Sequence, residues 1–374
     1  MRDEGAMRHI YLYIVAAGLI LGFLMPQKSK KRKQYILVMT LILVFVSGFR
    51  HPHLTGDLLK YHTTYTRMGT APWLDAMLWN QGKNFGFHYF LKLVYVLTRG
   101  NYQLLLILIS AIIQGIAGYV IYRYSPAPWM SYLAWNCLGF YIFGFSALKQ
   151  SLAMAFVMLS FDAICRRNFP YFLICLAIAG AVHMPALIFL PAYGLCRVKV
   201  SPPTVLMYLL TGAVLFLFKD PFVAFLQQFY YEEPVAFAYS GSPGNRFLMI
   251  LGFCLFGIGF SGLQHPHTEK LFSLMAVSAM LQMFSGFDNV FTRMTDYYFQ
   301  LSVLYLPMVF FSPEPIPPRN GILPVFPFNA KSRRILACCL CLFLLWFYYT
   351  FNLNITIAHA MDDYLNYRFM WDVK

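Results

Sequence analysis

The sequence predicts an all-α, polytopic transmembrane helix bundle of about 10–12 spans, some short or broken, with a cavity on its outer face. Three observations predict it. Of 374 residues, 59% are hydrophobic and only 12% are charged, against about 45–50% and about 25% in soluble domains. Apolar runs of near-membrane length recur from Ile10 to Phe351. Basic residues cluster in the short connectors between those runs instead of spreading over surface faces. So little polar sequence cannot cover the exteriors of the soluble domains that this length would otherwise imply. Residues 1–374 therefore read as a single integral membrane domain.

The balance of 29 Lys+Arg against 15 Asp+Glu gives a net charge of +14. In a soluble protein that excess would suggest nucleic acid. Here it records topology, so no nucleic-acid partner is expected, and the remaining excess suits the anionic head groups of membrane lipids. Cys137, Cys165, Cys175, Cys196, Cys254, Cys338, Cys339 and Cys341 all lie in or at the ends of apolar runs, which argues against a disulfide framework. Cys338 and Cys341 form a C-x-x-C with no second pair to answer it, so packing or lipid contact explains them better than metal.

Ile10 to Met25 follows Arg2 and Arg8 like a signal peptide, but it ends in Pro26 and Lys28 instead of a small-residue cleavage site, and it reads as the first span. The cluster Lys28, Lys30, Lys31, Arg32 and Lys33 then lies in the cytoplasm, and Tyr35 to Phe49 leads out. Residues 50–102 form an external loop. Within it Phe85 to Leu97, interrupted by His88 and Lys92, reads as an amphipathic helix lying on or dipping into the outer interface. Gln103–Tyr122, Pro128–Phe145 and Ser151–Cys165 cross in turn, placing Arg123, Arg166 and Arg167 inside. Phe169 to Cys196 is longer than one span and is broken at His183-Met184-Pro185. It reads as two short helices meeting on the outer side, because broken backbone is tolerated where it lines a polar cavity. After Thr204–Phe218, residues 219–245 form a second external loop, aromatic and carrying Glu232 and Glu233. Arg246–Gly262, Leu271–Phe287, Met294–Phe311 and Ile335–Phe351 complete the crossings, and residues 312–334 form a proline-rich cytoplasmic connector.

This topology brings Arg50, Asp57, Lys149, His183, Asp288 and Arg293 to one side of the membrane. Charge at membrane depth is costly and marks cavities. Each residue taken alone has an equally good structural reading as a snorkelling or internally paired side chain. Arg50 suits a phosphate as a bidentate donor and Asp57 suits a general base, unless the two merely pair. Lys149-Gln150 opens a helix whose amides and ammonium can hold an anion. His183 titrates near neutrality. Arg293 and Asp296, three apart, either pair or serve a ligand. Tyr61, Glu232, Asp288 and Tyr297 are candidate sugar contacts. His51, His53 and Asp57 resemble a metal set, but His265-Pro266-His267 repeats the pattern on the predicted cytoplasmic side, which argues against a metal site.

These elements together resemble the EpsG-like (Wzy-type) exopolysaccharide polymerases of bacterial membranes. The resemblance rests on Arg50, Gly56, Asp57 and Tyr61; on Lys149-Gln150 opening a small-residue helix; and on His183 in a block ending in Leu190-Pro191-Ala192-Tyr193. Arg293 with Tyr297, Tyr298 and Phe299, and the closing Tyr364-Leu365-Asn366-Tyr367-Arg368-Phe369, complete it. It runs from about Phe49 to the end. One position departs, because Lys149 stands where the family usually has arginine, so a point charge replaces a fork. The resemblance implies a bacterial cytoplasmic-membrane enzyme that joins polyprenyl-pyrophosphate-linked repeat units on the outer face. Asp57 or His183 is then the base, and Arg50, Lys149, Gln150 and Arg293 hold the pyrophosphate. Lipid-linked oligosaccharides are the implied substrates, a flippase and a chain-length regulator are the implied protein partners, and no cofactor is implied. A flippase or transporter of lipid-linked saccharides, or a glycan ligase, is the alternative reading of the same residues.

Overall fold

The computed structural model describes residues 10–25, 29–221, 223–224, 244–261, 263, 265–311, 330–354 and 367–371. Glu232, Glu233, the aromatic residues beside them and the proline-rich stretch lie outside that set. The described residues are helical, with one isolated antiparallel bridge between Arg50 and Phe369. The chain forms two compact units: unit 1 is Met1–Leu187 with Arg334–Lys374, and unit 2 is Ile188–Arg333.

Unit 1 contains α1 (Ile10–Leu24), α2 (Ser29–Gly48), α3 (Gly56–Thr70), α4 (Trp73–Leu78), α5 (Phe85–Thr98) and α6 (Tyr102–Tyr124). It continues with α7 (Pro128–Cys137), α8 (Phe140–Phe143), α9 (Leu148–Cys165) and α10 (Phe169–Val182). Unit 2 holds α11 (Ala192–Leu195), α12 (Pro202–Leu217), α13 (Gly244–Phe256), α14 (Pro266–Gln282), α15 (Asn289–Phe299) and α16 (Ser302–Phe311). The last helix, α17 (Ala330–Phe347), returns the chain to unit 1 from Arg334 onward. Tyr102–Tyr124, Leu148–Cys165 and Arg334–Phe351 are long and apolar enough to cross a membrane. Other expected crossings fall on shorter apolar helices such as Ile10–Leu24, Phe169–Val182 and Pro202–Leu217, while Tyr35–Phe49 falls on the 20-residue α2 and Met294–Phe311 is divided between α15 and α16.

Two breaks have clear local causes. The apolar block after Phe169 stops at His183, as its polar His-Met-Pro core predicts, and continues as a 3-10 turn over Met184–Phe189. The run expected from Pro128 to Phe145 is not one helix. It ends at Cys137, and Gly139, at φ 88°, turns the chain into α8. Cys137 to Phe145 is apolar except at Gly139 and Gly144, so hydropathy alone does not reveal the break.

Side-chain contacts fix the directions of the unit 1 helices. Arg32 at the start of α2 donates to the carbonyls of Tyr122 (2.9 Å) and Ser125 (2.7 Å) at the end of α6. Gln103 at the start of α6 donates to Gly48 O (2.6 Å) at the end of α2. The two helices are therefore antiparallel. Tyr124 donates to Asp162 (2.6 Å), and Arg166 pairs with Asp162 (2.7 Å) and donates to Tyr119 OH (2.7 Å), so α6 and α9 run parallel. One end of unit 1 collects Lys30, Lys31, Arg32, Lys33, Arg123, Arg166 and Arg167. The opposite end carries Arg50, the starts of α6 and α9, and the close of α10.

Arg32 satisfies carbonyls that a helix end leaves orphaned, and its charge lies where the α6 dipole is negative. We expect Arg32→Ala to cost about 1–3 kcal/mol and to lower the melting temperature of the purified protein by a few degrees. A melting curve that superimposes on the parent's would show that these bonds add nothing.

The helix expected at Phe85–Leu97 is present as α5, with its polar residues turned toward protein. His88 and Lys92 are buried, while Tyr89, Leu93, Val96 and Leu97 are exposed. Lys92 donates to the carbonyls of Met68, Gly69 and Ala71 at the end of α3 and lies 4.9 Å from the Trp73 ring centre. Lys92, one of the two polar residues that interrupt this apolar stretch, thereby holds the end of α3 and Trp73 of α4 against α5.

Candidate functional site

Within unit 1, Arg50, Asp57, Tyr61, Lys149, Gln150 and His183 all lie at the end opposite the basic cluster. Tyr102, which opens α6, links the first group, since its hydroxyl donates to Leu58 O (2.9 Å) on the first turn of α3 and faces the Arg50 guanidinium. Tyr61 meets the Phe87 ring edge-on (5.8 Å), one residue before His88, and the field of Lys149 reaches His88. Asn84, just before α5, accepts from Met184 N (3.0 Å). Gly86 packs so closely on Ala181 that a Cβ there would lie 2.7 Å from the Ala181 Cβ. Those two contacts set the close of α10, and with it His183, against the start of α5.

Arg50 is fully buried. Its Nη1 donates to Ser47 O and to Ser110 Oγ (3.4 Å), and its guanidinium lies 5.0 Å from the Phe145 ring centre. Tyr11, Tyr102, Tyr141 and Tyr367 surround it with hydroxyl dipoles. Nε and Nη2 have no hydrogen-bond partner, and no carboxylate among the described residues pairs with the charge. The C-terminal segment closes this chamber: His51 N donates to Arg368 O (2.7 Å), Met370 N to Phe49 O (2.9 Å), and Tyr367 OH to Val46 O (2.7 Å). Phe369 stacks on Trp371 at 4.6 Å, beside Phe45. The closing aromatic residues are therefore part of the Arg50 environment, a relation that linear spacing does not reveal.

Asp57 does not pair with Arg50. It is exposed and lies 3.5 Å from the Lys60 ammonium. Thr55 caps α3, its hydroxyl accepting from Leu58 N (3.2 Å). Along that helix His62 stacks on Tyr102 (4.4 Å, 15°), and its Nδ1 shares a 2.9 Å hydrogen bond with His53 Nε2. Burial, then the neighbouring His53, holds His62 below its ordinary value. A lowered folded pKa means that the neutral ring contributes stability above the unfolded value, about 6.5. That contribution is lost as pH falls through the folded value. Intrinsic-rate-corrected hydrogen exchange of the Gly56–Thr70 amides should accelerate on acidification from about pH 7 to about pH 5. His62→Phe, which keeps the stacking, should remove that dependence. An equal dependence in the variant would assign it elsewhere.

Lys149 is half-buried and Gln150 buried at the start of α9. Asn101, Asn168 and Asp288 cap their helices with side-chain oxygens, whereas the N-cap of α9 is Ala147, which supplies none. A lysine here opposes the helix dipole, and an anion would relieve both charges. His183 is half-buried, with its own N–H bonded to Ala179 O (2.8 Å).

In unit 2, Arg293 is exposed on α15, and Asp288 caps that helix by accepting from Val290 N (2.7 Å). Tyr297 is fully buried and offers no ring face to a sugar. Asp296 is buried and pairs with Arg246 at the start of α13, while Arg293 adds a second positive field. The Arg246 guanidinium also lies 4.8 Å from the Phe299 ring centre. Sequence reading considered Arg293 as the partner of Asp296 and missed Arg246. An arginine opening an apolar run, as Arg50 closes one, was the available signal. Asp162, the buried acid of α9, was missed as well, although Arg166 four residues on marks it. Glu232 lies outside the described residues.

Both His-Pro-His motifs make the same local turn. His51 Nδ1 accepts from His53 N, and His265 Nδ1 accepts from His267 N, each at 3.2 Å. Burial, His265 and Lys270 push His267 down to about 4, and burial lowers His265, so His265 stays neutral and can accept. No group of three or more His, Cys, Asp or Glu suited to a metal occurs among the described residues.

Fold and site together define an all-helical membrane protein with ionisable groups gathered at one end of its first unit. The EpsG family model matches residues 33–369, and the chain belongs to the EpsG family. Membership suggests a polysaccharide-polymerase-like membrane protein. No curated protein and no solved structure matches the chain.

Proposed function

We propose that the chain joins oligosaccharide repeat units, carried on polyprenyl pyrophosphate, at the outer face of the bacterial cytoplasmic membrane. One observation carries this reading beyond family membership: Arg50, Asp57, Tyr61, Lys149, Gln150 and His183 lie at the end of unit 1 opposite Lys30, Lys31, Arg32, Lys33 and Arg166. The positive-inside bias assigns the basic end to the cytoplasm and the other end to the outer side.

The reaction breaks the anomeric C–O bond to pyrophosphate and forms one to an acceptor hydroxyl. The lipid diphosphate leaves with the bonding pair, and the hydroxyl proton goes to a base. Lys149, with the N-terminal amides of α9, holds the leaving diphosphate, where charge develops. His183, at the same end, takes the proton; Asp57 is the exposed alternative. Arg293, exposed on α15, is proposed separately as a phosphate contact.

The test is purified protein in lipid with labelled lipid-linked repeats. A ladder of longer glycans supports polymerisation. Movement across the bilayer without new bonds identifies a flippase, and transfer to a non-repeat acceptor identifies a ligase. Lys149→Ala should reduce the ladder about 10²-fold at equal membrane content. Lys149→Arg, the residue usual in the family, should retain it. An undiminished ladder in Lys149→Ala removes this residue from the site.

A further inference from the structure

We propose that α4 and α5 form a lipid-embedded wall at the Arg50 end of unit 1, their exposed face lying among the acyl chains of that leaflet and not on the water side of it. This inference is independent of the reaction proposed above.

The argument starts from which side of α5 is polar. A helix resting on a membrane surface turns its charged residues to water and its apolar residues to lipid. In α5 the charged and titratable residues His88 and Lys92 are buried in protein, and the exposed residues Tyr89, Leu93, Val96 and Leu97 are apolar or aromatic. Leu74, Met77 and Leu78 extend this face onto α4, whose exposed Asp75 sits in the first turn, at the end of the helix. Lys92 is satisfied internally by three carbonyls and the Trp73 ring. Such full compensation is what a charge needs beside hydrocarbon and is unnecessary beside water.

The neighbouring helices fix the occupant. α3 packs on α5 through Tyr65–Tyr95 (5.2 Å) and Tyr61–Phe87 (5.8 Å), yet apart from Leu59 its exposed residues are polar: Asp57, Lys60, Thr63, Thr66, Arg67 and Thr70. On its other flank α5 adjoins the apolar helix α10, whose Ile174 and Ile178 are exposed. Exposed apolar residues thus lie on both α10 and α5, whereas the exposed residues of α3 are mostly polar. With 14 residues α5 spans about 21 Å, short of a bilayer core of about 30 Å. Both of its ends adjoin the same end of unit 1, through Gly86 at Ala181 and Thr98 near Asn101. It therefore enters the leaflet without crossing the membrane.

Nitroxides at Leu93 and Leu97 on α5, and at Thr63 and Arg67 on α3, test this in a chain whose native cysteines are replaced, reconstituted in nanodiscs. The ratio of oxygen to nickel-chelate collision rates should be severalfold higher at the α5 sites than at the α3 sites. Equal ratios would place α5 in water. Shielding from both reagents would identify a protein partner or a second copy on this face. Either result overturns the proposal. The unmodified protein supplies a check that needs no variant: a diazirine-bearing phospholipid should label peptides from Phe85–Thr98, and absence of that label also overturns it.

Discussion

Replacing Arg50 with methionine is expected to abolish polymer formation while leaving the protein at least as stable as its parent. Methionine fills similar volume and needs no hydrogen bonds. The native guanidinium is fully buried, leaves Nε and Nη2 unpartnered, and has no carboxylate opposite it among the described residues. A charge held in this way costs several kcal/mol, only partly offset by the Phe145 ring and the surrounding tyrosine dipoles. A structural role would be better filled by an apolar residue, so a charge held at this cost points to a negative group that it meets at some stage of the reaction. Arg50→Lys keeps the charge without the fork and should retain only part of the activity. Glycan ladders and melting curves on the same preparations check both claims. A methionine variant that melts many degrees lower, or fails to reach the membrane, would make Arg50 a scaffold residue that holds the Ser47 and Ser110 contacts.

Features that hydropathy can encode were legible in the sequence. The helical class, the long helices α6 and α9, and the break at His183 all follow from apolar length and its interruptions. Which side of a helix faces protein was not legible. In α5 the spacing of His88 and Lys92 is the same whether Lys92 meets water or the carbonyls of α3, and only the packing of α3 and α10 decides between them. Partner choice was hidden for a similar reason. Asp296 and Arg293 are neighbours in sequence, whereas Arg246 reaches Asp296 from 50 residues away. Asp57 lies near Arg50 in the chain but turns toward Lys60, while Tyr367, 317 residues beyond Arg50, lies beside it. Local spacing selects candidates, and long-range closure decides which of them meet.

The Arg246–Asp296 pair should dominate the stability of unit 2, in a way that single and double replacements separate. Asp296 is 6% exposed and inside a helix that packs on α14, so its carboxylate depends on Arg246 for compensation. Arg246→Ala leaves that charge buried with only the more distant field of exposed Arg293, and is expected to cost about 3–5 kcal/mol. Asp296→Ala strands a less buried arginine, which can turn toward solvent, and should cost less. The double replacement Arg246→Met with Asp296→Leu removes both desolvation penalties and should recover most of the loss, because an apolar pair of similar volume suits the same interior. Chemical denaturation of the four proteins in one lipid or detergent system gives the coupling directly. If the double variant is as unstable as Arg246→Ala, the pair is not the source of the effect, and the packing of Arg246 over Phe299 is the next explanation to test. If the double variant is stable but inactive, the pair orients Arg293 on its helix face, and activity should then fall through turnover more than through substrate affinity.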